Sequence, residues 1–446
     1  MVKIPFVISS GKGLSKKSNN SRLLNLMVHI EESGSKNNHI IINTAGLILS
    51  DTLTDAIQGV FHHRGYLYIV TKSILYRRKD RATTLEEIGK VNFAEKVTFS
   101  TNGNDIVLVG GNGYSYNTIS HKFRSMSTQE GWYYSNSVDF MDGYFIFNRK
   151  GTGQFFISKL YSTDINPIDW ATAESNPDNT EGARVINRQL WLFGDSTTEV
   201  WYDSGDKDFP FYRVSGATSD TGCKDHASIA KMQNTLILVG DDNRVYTTQG
   251  YQLIPISTPA IDIKLENSKR LSAFSYNEKG HWFYVLHIDN STYVFDTTTK
   301  QWHERSSMFS RWMIDNAITL DDGSTLGYHN KKIYDISIDH LTEDGKNIHR
   351  EAVTLPIQHD VAGVRWHEAQ LDMETGHGNK ATVAIQISKD YGNTWQNTVY
   401  SSTSATGEYM NRVRWTRLGS GRDLVAKITI SEPIPIRISG FYVRMG

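Results

Sequence analysis

The chain has 446 residues, of which 39% are hydrophobic and 21% are charged, and its formal net charge is −1. This length supports a sizeable core and two or three domains, and the near-neutral charge disfavours a dedicated nucleic-acid binder. A single cysteine, Cys223, excludes an internal disulfide framework and a cysteine-based zinc site. Aromatic residues make up 11% of the chain and 35 residues are glycine, which favours strands and tight turns.

Residues 1–54 are predicted to be an N-terminal arm with isolated strands. They are rich in Ser, Asn and Lys, and two strand-like patches occur, LLNLMVHI at residues 23–30 and HIIIN at His39–Asn43. Such a chain end either becomes ordered in an assembly or supplies a closing strand to another sheet, and the sequence leaves both alternatives open. The start has no apolar stretch of secretory length and no run of 18 apolar residues occurs, so we expect neither a signal peptide nor a membrane anchor.

A repeated pattern begins near residue 55. Seven apolar strings follow one another in steps of 38 to 47 residues, a period typical of propeller blades and of some helical repeats. The strings are YLYIV from Tyr66, IVLVG from Ile106, YFIFN from Tyr144, LWLFG from Leu190, LILVG from Leu236, FYVLH from Phe283 and, more weakly, TLGYH from Thr325.

Each apolar string lies between a polar turn and a second strand-like stretch. The turns contain Gly, Asn or Asp, as in TNGND, and the second stretches include SILYRRK and STYVFDT. Short separations of this kind favour antiparallel hairpins, and no window carries the sustained apolar spacing of a helical repeat. The predicted fold class is therefore all-β, with a six- or seven-bladed β-propeller-like domain over residues 55–355 whose apolar strands lie between neighbouring blades.

The repeated pattern ends before the last hundred residues. From Val364 the strings VRWHEAQLDM, TVAIQIS, RVRWTRLG, LVAKITI and IRISGFYVRM alternate apolar and polar residues over longer strands. This alternation is typical of an antiparallel sandwich. We predict a C-terminal β-sandwich domain over residues 364–446, with the boundary between residues 355 and 363.

One segment of the predicted sandwich, SKDYGNTW, resembles the Asp-box of sialidases. The matching residues are Ser388, Asp390, Gly392, Thr394 and Trp395. In such a hairpin turn the Asp and Thr side chains hydrogen-bond to the loop backbone, Gly adopts a dihedral that other residues disfavour, and Trp anchors the loop. The box is structural in that family, so one copy outside the propeller is weak evidence for a glycosidase.

A sialidase-type reaction also needs paired carboxyl groups and arginines that converge on the substrate. Candidate residues for such a set are Arg184, Arg188, Asp195, Glu199 and Tyr202. A propeller with 48 acidic and 47 basic residues offers many such sets at the ends of its blades. We therefore assign no catalytic role to these residues.

Signals for a metal site are equally weak. The segment DSGDKD, residues 203–208, has three carboxylates that could surround calcium, but it lacks the spacing of an EF-hand. The histidines form no HExxH or HxH motif; His62 and His63 adjoin a turn, and His281 and His287 flank a core strand. The sequence supports no metal-binding residues.

Two further motifs carry no chemistry. The segment GKGLSKKS departs from the spacing of a phosphate-binding loop and is expected to be part of the flexible arm. Cys223 has no recognisable His and Asp partners and is expected to be a small packed residue. The sequence therefore predicts no catalytic residues, no cofactor-binding residues and no cofactor.

Charge is unevenly distributed along the chain. Residues 1–22 and residues 411–446 each carry a formal charge of +5, and the residues between them carry −11. Basic chain ends are usually solvated or packed on neighbouring molecules.

Two long stretches resemble the packaged-DNA stabilisation proteins of short-tailed bacteriophages, which are hub or nozzle proteins of the tail. The first is LWLFGDSTTEVWYDSGDKDFPFYRVSGATSDTGC at residues 190–223, and the second is GEYMNRVRWTRLGSGRDLVAKITISEPIPIRISGFYVRM at residues 407–445. The segment LILVGDDNRVYTTQGYQLIPISTPAID at residues 236–262 is similar to the same pattern.

This resemblance extends from about Ala183 to Gly446 and is faint before Tyr66. Lys224, Asp225 and His226 depart from it, because they are more polar than the pattern at this place. The departure bears on local contacts more than on the identification.

The resemblance implies a structural virion component of a podovirus-type tail that performs no reaction. Such a protein would form a homo-hexameric ring below the portal and its adaptor, or head-completion, protein. The ring would extend the DNA channel, retain the packaged genome, and carry a needle or plug and tailspikes or tail fibres. Genomic double-stranded DNA would pass through the lumen without sequence-specific binding, and the subunit would be made in the host bacterial cytoplasm.

Two other function classes remain open. A propeller glycoside hydrolase or glycan-binding module, suggested by SKDYGNTW, predicts a concave acidic pocket with paired carboxylates. A monomeric cytoplasmic interaction propeller predicts an exposed aromatic patch on one face.

The ring hypothesis makes an electrostatic prediction. In a hexamer one lumen lysine per chain becomes a ring of about six charges, and each neutralised phosphate strengthens DNA binding through counterion release. A conduit should not hold its cargo tightly. We therefore expect the acidic middle of the chain to supply much of the lumen, and the basic ends to lie mainly at subunit or adaptor contacts.

Overall fold

The computed structural model describes residues 1–5, 7, 9–31, 37–94, 96–173, 177–358, 363–378 and 380–446. Strands dominate these residues, as the composition predicts. They also form one α-helix of eight residues, Pro259–Glu266, and one short 3-10 helix, His226–Ser228, which is capped by the Asp225 side chain. Neither helix approaches the length and hydrophobicity that a bilayer-spanning helix requires.

The described residues form seven four-stranded antiparallel units that we number in chain order. The strands of units 1 to 4 are Ile57–His63, Tyr66–Thr71, Ile74–Lys79 and Glu86–Lys90; Thr98–Thr101, Asp105–Gly110, Asn112–Asn117 and Phe123–Ser125; Val138–Met141, Tyr144–Arg149, Gln154–Ser158 and Ile165–Thr172; Thr180–Ile186, Gln189–Gly194, Thr198–Asp203 and Phe211–Ser219. The strands of units 5 to 7 are Ala230–Met232, Thr235–Val239, Val245–Gln249 and Gln252–Pro255; Leu271–Glu278, His281–Ile288, Ser291–Asp296 and Gln301–Ser307; Asn316–Thr319, Thr325–His329, Lys332–Ser337 and the earlier strand Gly46–Thr52.

The seven apolar strings form the second strand of each unit. Along Tyr66–Thr71, Leu67 and Ile69 pack against unit 7, whereas Tyr68 and Val70 pack against unit 2. Apolar clusters of this kind join each unit to the next and join unit 7 back to unit 1, which closes the ring. The prediction that these strands are buried on both faces between neighbouring sheets is confirmed.

The ring closes on a strand from the N-terminal segment. Gly46–Thr52 pairs antiparallel with Lys332–Ser337 of unit 7, and Asp51 lies 2.9 Å from the Arg78 guanidinium of unit 1. A Cβ at Gly46 would lie 2.2 Å from the carbonyl oxygen of His340, so only glycine fits where this strand begins. Of the two alternatives left open by the sequence, the closing strand is the one found for residues 46–52.

The C-terminal part is an antiparallel sandwich, as predicted. One sheet has the order Leu26–Ile30, His39–Asn43, Arg437–Met445, Val364–Met373 and Val413–Gly421, with Val2–Ile4 also on Arg437–Met445; the other contains Asn20–Leu24, Arg350–Val353, Asp423–Ile430, Thr382–Ser388 and Val399–Ser402. Trp366, Trp415 and Phe441 are among the buried side chains between the sheets, together with Leu23 and Val28 from the N-terminal segment. The remaining strands of the described residues are two residues long: Gly11–Lys12, Ser310–Arg311, Thr342–Glu343, Lys346–Asn347 and Ile357–Gln358.

A strand of the N-terminal segment joins the two parts into one sheet. Asn20–Leu24 pairs with Gln301–Ser307 of unit 6 through Leu24, and it pairs antiparallel with Arg350–Val353, which in turn pairs with Asp423–Ile430. The strands of residues 1–54 are therefore paired within sheets rather than isolated. The boundary predicted between residues 355 and 363 includes residues 359–362, which lie outside the described residues, and the division of the chain into three domains stays a prediction.

Candidate functional site

The junction between propeller and sandwich is held by ion pairs around Arg22. Its guanidinium lies 2.8 Å from the Glu304 carboxylate of unit 6 and 3.2 Å from the Glu351 carboxylate of the adjoining strand. Burial by itself lowers the pKa of Arg22, but the two carboxylates outweigh it and the pKa is raised. Burial alone would raise the pKa of Glu351, but His349 and Arg22 outweigh it and the pKa is lowered, so the carboxyl stays charged. One N-terminal arginine thus ties both parts together.

Two buried arginines flank this junction. Arg350 donates to the carbonyl oxygens of Leu341, at 3.0 Å, and Glu432, at 3.2 Å, and burial lowers its pKa to about 10. Arg305 of unit 6 lies 3.6 Å above the ring of Trp312. Because Glu432 belongs to the sandwich and Leu341 follows unit 7, Arg350 fixes the connection between the two parts.

The Asp-box loop is a structural turn, as its residues predict. The backbone amide and the hydroxyl of Thr394 donate to the Asp390 carboxylate at 2.8 and 2.7 Å, and Gly392 has a φ of +82°. These donors, the Thr394 amide first, lower the pKa of Asp390 to about 2. The carboxylate is thus committed to the turn rather than to a reaction.

The outer side of the Asp-box loop contacts the N-terminal segment. The Asn20 side chain donates to the Tyr391 carbonyl at 2.7 Å, and the Lys16 ammonium donates to the Asn393 side chain at 2.7 Å. A Cβ at Gly392 would lie 2.2 Å from Asn20 Nδ2. The loop therefore fastens residues 16–20 to the sandwich, which gives the Asp-box a role in joining the two ends of the chain.

The five residues weighed as a glycosidase set lie along unit 4 and do not converge. Arg188 and Asp195 lie at opposite ends of the strand Gln189–Gly194, which spans about 20 Å at the rise of a strand. Arg188 is 81% exposed and pairs with Asp142 at 2.9 Å. Glu199 is buried and accepts a hydrogen bond from the Trp201 indole at 2.8 Å. The remaining two are Arg184, on the first strand of the unit, and Tyr202, which is half exposed on the third.

The acidic turn at residues 203–208 is built on local hydrogen bonds. The Asp203 carboxylate accepts from the Gly205 amide at 2.8 Å, and the Asp206 carboxylate accepts from the Asp208 amide at 3.0 Å and the Tyr212 hydroxyl at 2.8 Å. These donors lower the pKa of Asp206. The carboxylates of Asp203 and Asp206 thus accept hydrogen bonds within this segment instead of pointing to a shared cation position.

Two histidines singled out in the sequence are buried in unit 6. His281 Nδ1 lies 2.7 Å from the Asp296 carboxylate. His287 contacts the Thr292 hydroxyl and the Ile314 carbonyl oxygen, both at 2.8 Å, and burial lowers its pKa to about 4. Both rings are thus bonded within the core of the propeller.

A cluster that sequence reasoning missed surrounds His62. Its Nε2 lies 2.7 Å from Asp80 Oδ2, and its Nδ1 lies 3.7 Å from Asp321 Oδ1. His62 and Asp80 belong to unit 1, whereas Asp321 lies in a turn of unit 7. The sequence places His62 beside a turn, but only the closed ring brings it to Asp321.

The motif around Cys223 is packed and bonded locally. Cys223 is 1% exposed, and burial raises the pKa of its thiol to about 12. The polar departure at Lys224 has a structural use, because its ammonium donates to the Asn243 side chain and the Leu265 carbonyl, both at 2.6 Å. This segment fixes the start of unit 5 against the helix Pro259–Glu266.

The segment GKGLSKKS forms a short hairpin. Gly11–Lys12 pairs with Ser21 and Asn20, and the chain continues as the strand Asn20–Leu24. A phosphate-binding loop would instead lead into a helix.

Large apolar side chains are exposed at the rim of the molecule. Ile168 and Trp170 lie on the outer strand of unit 3, and Met308 and Phe309, which are 70% and 79% exposed, form a hairpin tip beside a groove of ≈ 950 Å³. Both tip residues have a positive φ, of 50° and 67°, which is unfavourable for bulky side chains. Exposed apolar groups of this kind are typical of protein contact surfaces.

The two basic ends of the chain meet in one sheet. Val2–Ile4 pairs with Arg437–Met445, so that Val2 lies opposite Val443, and Lys17 lies over the ring of Tyr391 in the Asp-box loop. The sandwich and the segment bound to it therefore carry both positive regions. Residues 55–355, most of which form the propeller, carry a formal charge of −6, and the remaining negative charge of the middle lies in residues 23–54 and 356–410. The sequence shows that both ends of the chain are basic, but it does not show that they lie next to each other in the fold.

Several solved structures are similar to this chain at low sequence identity. The protein described as U3-55K is 7% identical with a TM-score of 0.45, and the similarity covers 66% of this chain and 98% of that chain. BamB from Moraxella catarrhalis is 9% identical with a TM-score of 0.42, and the similarity covers 71% of this chain and 97% of that chain. No curated protein matches the sequence significantly.

Two family models match the sequence. The model described as "Bacteriophage P22 Gp10, beta-propeller" matches residues 3–332, and the model described as "Bacteriophage P22 Gp10, beta-sandwich" matches residues 349–446. The matches follow the observed order of a propeller and a C-terminal sandwich. Because they cover most of the sequence, the chain belongs to the bacteriophage P22 Gp10 family of phage structural proteins.

Proposed function

We propose that the chain is a subunit of the nozzle, or hub, of a short phage tail. Six copies form a ring below the portal and its adaptor, extend the DNA channel, retain the packaged genome, and anchor a needle or plug and tailspikes or tail fibres. The subunit performs no enzymatic reaction and is located in the virion tail. The observation that carries this proposal is the match of both parts of the chain to one phage structural family.

The junction around Arg22 supports a role as a channel wall. In a cyclic ring a change in the shape of the subunit recurs in every copy. A ring of fixed diameter therefore needs subunits that do not bend. Here one sheet runs from unit 6 through Asn20–Leu24 into the sandwich, and Arg22 is bonded to carboxylates on both neighbouring strands. Such a subunit transmits force between its two parts with little bending.

The charge distribution supports an acidic lumen. Each phosphate that a lysine or arginine neutralises strengthens DNA binding, so a channel that releases DNA quickly is best lined by acidic and neutral groups. In our proposal the acidic propeller supplies much of the lumen. The basic sandwich, with the N-terminal segment paired to it, contacts neighbouring subunits or the adaptor.

We further propose the division of the chain into an arm at residues 1–54, a propeller at residues 55–355 and a sandwich at residues 364–446. The arm contributes strands to both other parts, of which Gly46–Thr52 closes the ring of units and Val2–Ile4 extends the sandwich.

Mass photometry tests the proposed function. The purified chain is measured alone and after mixing with the cognate portal and adaptor, and an unrelated β-propeller protein of similar mass serves as the control. We expect the mixture to gain mass in steps that end at about six copies per portal, as a closed ring requires. A chain that stays unbound in the mixture, as the control does, contradicts the proposal.

A further inference from the structure

We propose that His62, Asp80 and Asp321 bind a divalent transition-metal ion of the Zn²⁺ type at the junction of units 1 and 7. Each residue offers one ligand atom, and these atoms all lie within 4.8 Å of one another. An imidazole nitrogen and two carboxylate oxygens form a ligand set that Zn²⁺ accepts, and water completes the coordination.

The cluster is held in place on one side and open on the other. The His62 side chain is 6% exposed, Asp80 is 25% exposed, and Asp321 is 74% exposed. The buried ring and the partly buried carboxylate are therefore fixed by the surrounding sheet. An ion can enter from the side of Asp321, whose exposed side chain can move towards it.

Two of the polar atoms in the cluster lack hydrogen-bond partners. In the part of the chain that the structure describes, His62 Nδ1 makes no hydrogen bond, and its distance of 3.7 Å to Asp321 Oδ1 is too long for one. Oδ1 of Asp80 is buried and has no partner among the same residues. A buried carboxylate oxygen without a donor destabilises the fold, and a bound cation would remove that penalty.

The neighbouring arginines are directed at other carboxylates. Arg81, next to Asp80 in the chain, pairs with Asp322 at 3.2 Å, and Arg78 pairs with Asp51 at 2.9 Å. Arg78 also interacts electrostatically with Asp80, but among the described residues neither Asp80 nor Asp321 accepts a hydrogen bond from a guanidinium. Both carboxylates therefore keep oxygen atoms that a cation can bind.

The site lies close to the closure of the ring. The fourth strand of unit 7, Gly46–Thr52, comes from the segment before unit 1, so closure depends on its pairing with Lys332–Ser337 and on the packing of unit 7 against unit 1. The three ligands come together only in the closed ring, and an ion that binds the folded state alone stabilises it by mass action. We expect the ion to raise the melting temperature of the propeller.

The test is a titration of Zn²⁺ into the purified full-length chain after treatment with EDTA and removal of the chelator. Calorimetry measures affinity and stoichiometry, and circular dichroism measures the melting temperature. We expect roughly one equivalent of Zn²⁺ to bind and to raise the melting temperature, and Mg²⁺ to bind more weakly because it prefers all-oxygen octahedral sites.

Variants separate this site from the other histidines. Asp321→Asn changes an exposed turn residue and should weaken Zn²⁺ binding by more than about tenfold, since even second-shell changes cost that much. His62→Gln should abolish binding at this site, and Asp322→Asn in the same turn is the matched control that should retain it. The proposal is overturned if the wild-type chain binds no Zn²⁺ at this stoichiometry, or if Asp321→Asn binds Zn²⁺ like the wild type. Neither result bears on assembly with portal and adaptor.

Discussion

The propeller and the sandwich bury their apolar side chains in different ways. The sandwich has one continuous cluster of 28 buried residues between two sheets, whereas each interface between propeller units has its own cluster of 8 to 14. Repeated architectures distribute stability over nearest-neighbour contacts, and a single core unfolds as a unit. The same kind of substitution should therefore act on the whole sandwich but only on neighbouring units of the propeller.

The largest effect is expected in the sandwich core. Phe441→Ala removes a fully buried ring and should lower the free energy of unfolding of the sandwich by about 3–5 kcal/mol, because it leaves a cavity. Urea unfolding followed by tryptophan fluorescence measures it, since Trp366 and Trp415 lie in the same cluster.

The control for this substitution is Tyr400→Ala, on a side chain that is 67% exposed in the same domain. It should change the free energy of unfolding by less than about 0.5 kcal/mol. Equal losses for the two variants would mean that the sandwich does not depend on one core.

A substitution between propeller units should act locally. Leu238 is fully buried in the cluster between units 4 and 5, and Leu238→Ala should destabilise that interface by about 2–5 kcal/mol. Hydrogen exchange should accelerate in Gln189–Gly194 and Thr235–Val239 and stay unchanged in Arg437–Met445. A uniform acceleration across all units and the sandwich would contradict a distributed core.

Substitution of Arg22 at the junction should lower the free energy of unfolding by less, and it should weaken the contact between the propeller and the sandwich. Arg22→Ala leaves Glu304 and Glu351 without their shared partner, and because the arginine side chain is 30% exposed we expect a loss of about 1–3 kcal/mol. Differential scanning calorimetry should show the propeller and sandwich transitions moving apart. Arg188→Ala, on an ion pair whose arginine is 81% exposed, is the control that leaves the transitions unchanged.

The smallest effect is expected for a single buried histidine, through the pH dependence of stability. Burial lowers the pKa of His303 and His226 to about 3 and that of His287 to about 4, below the usual value of about 6.5. The unfolded chain therefore takes up protons first, and stability is lost as the pH falls below about 6.5, by up to about 1.4 kcal/mol per pH unit for each histidine.

His303→Gln tests this dependence. Between about pH 5 and 6.5 the variant should lose stability with a slope smaller by about one proton than that of the wild type, as measured by urea unfolding at several pH values. His39→Gln, on an exposed strand residue, is the matched control. An unchanged slope for His303→Gln would show that this ring does not stay neutral in the fold.

The sequence pattern of a strand predicted correctly whether one or both of its faces are buried. The strings from Tyr66 to Thr325 are apolar on both faces because each lies between two sheets, and strands such as Val364–Met373 alternate because one face is buried. The Asp-box turn was also predictable, since its hydrogen bonds span only residues 388–394.

Long-range pairing was not predictable from the same patterns. Nothing in Asn20–Leu24 or Gly46–Thr52 indicates which sheet each strand joins, because strand pairing depends on the whole fold. The cluster of His62, Asp80 and Asp321 could not be predicted for the same reason, because it forms only when unit 7 contacts unit 1. The exposed tip at Met308 and Phe309 has a backbone conformation that its residue types do not suggest.

Cryo-electron microscopy of the chain assembled on its portal and adaptor would show the proposed ring itself. We expect a closed ring of about six subunits below the adaptor, with the acidic propeller at the lumen and the basic sandwich at contacts with neighbouring proteins. Particles that carry no ring of this chain, or a lumen lined mainly by lysine and arginine, would contradict this proposal.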